Sequence, residues 1–99
     1  MCVDAYHVWW DPRLEQLLQQ STGLIQAFHV SDWVTPINGE MSSRGLMGDG
    51  CIDLQGMREL VYGTGYTGYT EVEILSDHWW KVDPDVYIQA IVERFKTVV

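Results

Sequence analysis

The sequence predicts an α/β fold in which three parallel strands alternate with three helices, in the order β-α-β-α-β-α. Short apolar runs of strand length recur along the chain, and segments with helical spacing of apolar residues follow them. The pairs Asp11-Pro12 and Asp83-Pro84 are typical of helix starts, because aspartate caps the first turn and proline is tolerated within it. Regular alternation of this kind indicates parallel strands joined by right-handed crossovers.

The first half of the chain contains two predicted strands and the helix between them. Residues 2–6 form a short strand candidate, and residues 24–30 form the second strand. Between them, residues 12–20 are predicted to be helical because three leucines recur at helical spacing, namely Leu14, Leu17 and Leu18. The Ser-Thr-Gly sequence at residues 21–23 is expected to end this helix.

The second half begins with a loop that is long enough to indicate a functional role. Residues 34–51 contain four glycines and one proline, which favours a loop over a helix or strand. Asp53 is the predicted cap of a helix that runs through residue 62. Residues 69–75 form the third predicted strand, and residues 86–98 carry the final helix after the second Asp-Pro pair.

Composition limits the classes of partner. The chain has 99 residues, enough for one domain at most, and its net charge is −8. Proteins that bind nucleic acid or anionic membranes depend on lysine and arginine, so this charge disfavours both partners. The same negative charge is compatible with a site for a cation.

The sequence also predicts a cytoplasmic location. Cys2 and Cys51 lack any paired spacing, which favours reduced thiols over a disulfide. Met1 is followed by Cys-Val-Asp and not by a basic region and a long apolar run, so no signal peptide is expected. No apolar stretch approaches the roughly 20 residues that a membrane-spanning helix needs.

Polar side chains recur where the predicted strands end. Asp4 and His7 lie at the end of the first apolar run, and His29 lies near the end of the second. Glu71 and Glu73 share one face of the third strand because side chains alternate, and Glu73 is nearer the carboxyl end. Ligands bind at this edge in α/β proteins, so Asp4, His7, His29 and Glu73 are candidates for metal ligation and proton transfer. Glu71 would lie deeper and could pair with a cation.

Each candidate also has a purely structural alternative. Asp4 could face solvent on its strand, and His29 could be a hydrogen-bonded core histidine. His7 and Arg44 could be ordinary loop residues. Trp9 could line a sugar pocket or simply pack against a neighbouring helix.

Four motifs occur in order along the chain and carry a resemblance to a known family. They are D-A-Y-H at residues 4–7, F-H-V-S-D-W at residues 28–33, Arg44 followed by G-D-G-C-I-D at residues 48–53, and G-Y-T-G-Y-T-E-V-E-I at residues 65–74. With them, the sequence resembles the C-terminal part of the sugar phosphate isomerase/epimerase family, the xylose isomerase-like TIM barrels. The resemblance covers nearly the whole chain and implies that it forms barrel strands six to eight with their helices.

The resemblance implies a divalent metal held at the C-terminal face of the barrel. Asp4 matches the sixth-strand ligand, His29 the seventh-strand ligand and Glu73 the eighth-strand ligand. His7 and Arg44 match residues that contact substrate, and Trp9 is a further candidate for the substrate pocket. The glutamate that the family supplies from its fifth strand has no counterpart here. The mixed oxygen and nitrogen donors suit Mn²⁺, Mg²⁺, Co²⁺ or Zn²⁺.

The implied activity is isomerisation or epimerisation of a sugar or sugar phosphate. A metal that chelates the substrate acidifies the C–H bond beside its carbonyl, and proton transfer then passes through an enediolate. Glu73 and His7 are the candidate catalytic residues. A full barrel needs about 250 residues, so the isolated chain is expected to lack half of the proton-transfer apparatus, and whether it is an enzyme by itself stays open.

Three other functions compete with this one. A non-catalytic assembly module of the same fold is the first, since open sheet edges and an apolar sheet face would favour a homo-oligomer or association with the missing part of the barrel. A metal hydrolase related to the apurinic-site endonucleases is disfavoured by only three histidines and the negative charge. A flavodoxin-like domain would need a glycine-rich cofactor turn after the first strand, which is absent.

Overall fold

A parallel three-stranded sheet forms the centre of the protein, in a computed structural model that describes residues 1–37 and 41–99. Strand β1 is Cys2–Asp4, β2 is Ala27–Val30 and β5 is Thr70–Val72, in the order β1-β2-β5. The predicted α/β fold with parallel strands is confirmed. Assignment of these strands to positions six to eight of a barrel stays a prediction.

The segment after β1 differs from the prediction. A short helix α1, Ala5–Val8, follows the strand directly, and Asp4 caps it by accepting a hydrogen bond from the Tyr6 backbone N–H at 3.0 Å. Helix α2 is Leu14–Gln20, so the predicted start at Pro12 was wrong. Asp11 Oδ1 accepts from the Arg13 N–H at 2.9 Å, which closes a turn before the helix begins.

The predicted loop at residues 34–51 contains part of a second, two-stranded sheet. Strand β3, Asp32–Trp33, pairs antiparallel with β4, Arg44–Gly45. Residues 38–40 of the predicted loop lie outside the described residues. The pairing matters for the site, because it brings Arg44 back toward the carboxyl ends of the central strands.

Asp32 holds the end of this segment in place. Its side chain is almost fully buried, at 1% exposure. Its carboxylate accepts hydrogen bonds from the backbone N–H groups of Trp33 and Gly48, both at 2.8 Å, and of Ile52 at 3.0 Å. A charged acceptor with three backbone donors therefore fixes the chain between β4 and the next helix.

Two longer helices complete the fold, and both follow the capping aspartates that the sequence predicted. Helix α3, Leu54–Gly63, begins after Asp53, whose carboxylate accepts from the Gly56 N–H at 2.9 Å. Helix α4, Pro84–Val98, begins after Asp83. Along the described chain, no helix is long and apolar enough to cross a membrane.

The two faces of the central sheet differ in chemistry. One face packs into the core through Val3, Phe28 and Val30. On the other face, the strand register aligns Asp4 with His29 and His29 with Glu71. The expectation of an apolar face on this side was therefore wrong, because alternation along each strand turns the apolar residues toward the helices and leaves a charged row opposite.

Candidate metal centre

Asp4, His29 and Glu73 converge at the carboxyl end of the parallel sheet. Asp4 is the last residue of β1, and His29 is the third residue of β2. Glu73 follows β5 directly, and its N–H donates to the Val30 carbonyl oxygen at 3.1 Å. Each side chain offers a donor atom, and these atoms all lie within 4.8 Å of one another. Two carboxylates and an imidazole at this spacing are a donor set that fits a divalent ion.

A buried guanidinium compensates the two carboxylates of this group. Arg44 Nη1 lies 2.9 Å from Asp4 Oδ2 and 3.1 Å from Glu73 Oε2. Arg44 is only 7% exposed, and the same nitrogen also donates to the Glu73 carbonyl oxygen at 3.4 Å. The sequence predicted Arg44 as a substrate contact, whereas the structure places it against two of the candidate ligands.

His7 and Tyr6 surround the other side of the guanidinium. Arg44 Nη2 lies 3.2 Å from His7 Nε2, and arginine can only donate, so this ring nitrogen acts as the acceptor. The His7 side chain is 65% exposed, which leaves the rest of its ring open to a ligand. The Tyr6 ring lies beneath the guanidinium, with 4.7 Å between the guanidinium carbon and the ring centroid. Arg44 is thus held in a fixed position by packing and by charge.

Glu71 is the member of the site that the sequence did not select as a ligand. His29 Nε2 lies 2.9 Å from Glu71 Oε2, and His29 Nδ1 lies 3.5 Å from Glu73 Oε2. The two glutamates thus approach opposite nitrogens of one ring. Strand alternation alone placed them on the same face, but only the register of β2 with β5 shows that Glu71 faces His29.

Trp9 lies beside the second sheet and helix α3. Its ring centroid is 6.0 Å from that of Trp33, and its indole Nε1 is buried without a hydrogen-bond partner among the described residues. It also borders a groove of about 510 Å³ at the start of α3. A role for Trp9 in binding substrate stays a prediction.

A second opening lies next to Arg44. This cavity of about 470 Å³ falls in the size range of small-molecule sites. Its lining combines hydroxyl groups, charged groups of both signs and an indole ring, which can hydrogen-bond to and pack against a polar ligand. These residues include Ser42, Arg44, Asp49, Asp77, Trp79 and Lys81.

The negative charge of the site affects the neighbouring Cys2 thiol. Partial burial raises the pKa of the Cys2 thiol, and the carboxylates of Asp4, Glu73 and Glu71 raise this pKa further. The thiol therefore stays protonated at neutral pH. The donor atoms that lie close together belong to Asp4, His29 and Glu73, and the negative potential of the carboxylates favours a cation.

A parallel sheet with acidic and imidazole side chains at its carboxyl edge is typical of α/β proteins, the barrel type among them. The sequence profile described as "Xylose isomerase-like TIM barrel" matches residues 1–98, and the chain belongs to that family. Among curated proteins, no match to the chain was found.

The chain is also similar to a solved structure. Protein SMc04130 from Sinorhizobium meliloti 1021 is 42% identical to the chain and superposes with a TM-score of 0.95. The similarity covers 99% of this chain but only 37% of the solved one. The chain thus corresponds to little more than a third of that relative.

Proposed function

We propose that this chain supplies metal ligands and acid/base groups to a metal-dependent isomerase or epimerase that acts on a sugar or sugar phosphate. The observation that carries the proposal is the convergence of Asp4, His29 and Glu73, with donor atoms within 4.8 Å of one another. Membership of the xylose isomerase-like family supports the class of reaction, since proteins of that family are typically of the sugar isomerase or epimerase type.

The donor set fits Mn²⁺, Mg²⁺, Co²⁺ or Zn²⁺, and three protein ligands leave positions open for substrate oxygens. When bound, such an ion would polarise the substrate carbonyl and acidify the adjacent C–H bond.

The side chains around the ligands have separate tasks in this proposal. Glu73 is 40% exposed, so its carboxylate can reach a substrate proton as well as a cation. His7 presents an open imidazole at the rim of the site, where it can hydrogen-bond to a substrate oxygen. Arg44 offsets the charge of the carboxylates and fixes their positions. The family's fifth-strand glutamate has no counterpart in this chain, so we expect little or no turnover from the chain alone.

Replacing His29 with alanine should weaken Mn²⁺ or Zn²⁺ binding by about 10-fold or more, because the change removes the only nitrogen donor of the group. Calorimetric titration of both proteins measures the difference. His78→Ala is the matched control, since His78 is exposed and lies outside the ligand group. Equal affinities of wild type and His29→Ala would eliminate His29 as a ligand and remove the main support for the proposal.

The isomerase chemistry has its own test. Exchange of the proton beside the carbonyl of an aldose or ketose can be followed by deuterium uptake from D₂O. We expect any exchange to require added metal and to disappear in Glu73→Gln. Metal-dependent exchange that persists in Glu73→Gln would assign proton transfer to another residue.

A second candidate function, an assembly module, is favoured by surfaces that lack a partner within the described part of the chain. Strands β1 and β5 each pair only with β2 there, so both edges of the central sheet are open. Three apolar side chains of α4 are also exposed, namely Val86, Ile88 and Val92. Open edges and exposed apolar residues are typical of surfaces that bind another chain.

We therefore expect the chain to self-associate at micromolar concentration, with a mass by light scattering above the 11.4 kDa of one copy. Ile88→Lys should shift the population toward the monomer, because it places a charge in the apolar surface of α4. Gln89→Lys adds the same charge at the neighbouring exposed position and serves as the control. A cooperatively melting monomer would argue against the assembly function.

A further inference from the structure

We propose that Glu71 is a positioning residue that fixes the tautomer of His29, so that Nδ1 and not Nε2 binds the metal. This inference rests on the metal centre proposed above. Glu71 was not selected as a ligand from the sequence.

His29 Nε2 is hydrogen-bonded to Glu71 Oε2 at 2.9 Å. An ionised carboxylate has no proton to donate, so the imidazole must donate and Nε2 must carry the hydrogen. A neutral imidazole then has one lone pair left, on Nδ1. That nitrogen lies 3.5 Å from Glu73 Oε2, on the side of the candidate ligands.

The backbone arrangement places both glutamates with respect to this ring. The register of β2 with β5 aligns His29 with Glu71, and the register of β1 with β2 aligns Asp4 with His29. Glu73 lies two residues beyond Glu71 and therefore on the same face. One short stretch, T-E-V-E at residues 70–73, thus supplies a ligand and also the residue that orients the neighbouring ligand.

Glu71 is less suited to be a ligand itself. Its side chain is 56% exposed, compared with 40% for Glu73. The group of donor atoms within 4.8 Å of one another consists of Asp4, His29 and Glu73. Arg44 contacts the two carboxylates of that group. Glu71 instead lies behind the imidazole, where a carboxylate that accepts from a metal-bound histidine orients the ring and raises its basicity.

Two substitutions at Glu71 separate this role from general packing. Glu71→Ala removes the acceptor of the Nε2 proton, whereas Glu71→Gln keeps a carbonyl oxygen within the same reach. We expect Zn²⁺ affinity to fall by about 10- to 100-fold in Glu71→Ala and to stay within a few-fold of wild type in Glu71→Gln. Glu59→Ala removes one exposed carboxylate from α3 and controls for the loss of net charge.

Long-range ¹H–¹⁵N correlation spectra of the histidine rings give a direct readout of the nitrogen that binds. In the Zn²⁺-loaded wild type, we expect His29 Nε2 to be protonated and Nδ1 to carry the metal. In the metal-free protein at a pH that gives the neutral-ring pattern, the proton should be on Nε2. Glu71→Ala should shift this tautomer toward a mixture, and Glu71→Gln should largely restore it.

The outcomes distinguish failure of this inference from failure of the metal centre. If His29→Ala binds Zn²⁺ as well as wild type does, the metal centre fails and this role of Glu71 fails with it. If His29 is a ligand but the spectra place Zn²⁺ on Nε2, the inference alone is overturned. Unchanged affinity in Glu71→Ala, or a loss no larger than in Glu59→Ala, would overturn it as well.

Discussion

Replacing Asp32 with alanine should lower the free energy of unfolding by about 3 kcal/mol. The carboxylate is 1% exposed and accepts three backbone hydrogen bonds, from Trp33, Gly48 and Ile52. Alanine offers no acceptor, so the Ile52 N–H in particular would stay buried without a partner. An unsatisfied buried donor costs more than the net gain from an ordinary hydrogen bond, which makes this position unusually sensitive.

Urea denaturation of wild type and Asp32→Ala measures the predicted loss. Asp53→Ala is the matched control, because Asp53 also caps a backbone N–H but is exposed, and its loss should cost about 1 kcal/mol. Asp32→Asn should fall between the two, since it keeps one acceptor oxygen without the charge. A loss in Asp32→Ala no larger than in Asp53→Ala would show that the burial of the carboxylate adds nothing.

Loss of the Asp32 carboxylate should also disturb the candidate metal centre. Asp32 is in β3, which pairs with the strand that carries Arg44. Gly50 packs so closely against the Trp33 carbonyl oxygen and the Asp32 carboxylate that a β-carbon would overlap both. The conformation of this segment therefore depends on Asp32 and Gly50. We expect that a segment in another conformation would not hold the Arg44 guanidinium against Asp4 and Glu73.

Much of the sheet and of the candidate centre could be predicted from sequence because the relevant signals are local. Alternation of apolar and polar residues indicates a strand and shows which residues share a face. A polar side chain after the apolar run indicates the carboxyl end of that strand. Parallel strands bring those ends together. Strand positions made Asp4, His29 and Glu73 candidates, and the resemblance to the family selected them as a ligand set. Their donor atoms lie within 4.8 Å of one another.

The features that the sequence analysis missed depend on distant partners or on ambiguous local signals. Asp11 looked like a helix cap, but an aspartate that closes a turn uses the same carboxylate and a backbone N–H two residues later. Arg44 lies 40 residues from Asp4 in sequence, so no periodicity reveals their ion pair. Likewise, Glu71 and His29 meet only through strand register, 42 residues apart.

Replacing Arg44 with methionine should destabilise the metal-free protein by about 2 kcal/mol. Breaking a buried ion pair typically costs about 3 to 5 kcal/mol, and the exposure of Glu73 reduces this figure through solvent screening. The substitution keeps much of the volume of the side chain but leaves the Asp4 and Glu73 carboxylates without their cation. Urea denaturation without metal measures this loss. Arg13→Met is the control, because Arg13 is exposed and its pair with Asp11 should contribute little.

Added divalent metal should restore much of the lost stability in Arg44→Met, because a bound ion would neutralise the same carboxylates. An ion at 100 times its dissociation constant stabilises the folded state by about 2.7 kcal/mol, which is similar to the predicted loss. In wild type the guanidinium already offsets this charge, so the stabilisation by metal should be smaller. An equal stabilisation of both proteins by metal would mean that the ion and Arg44 act on different groups. That result would place the ion elsewhere than between Asp4 and Glu73.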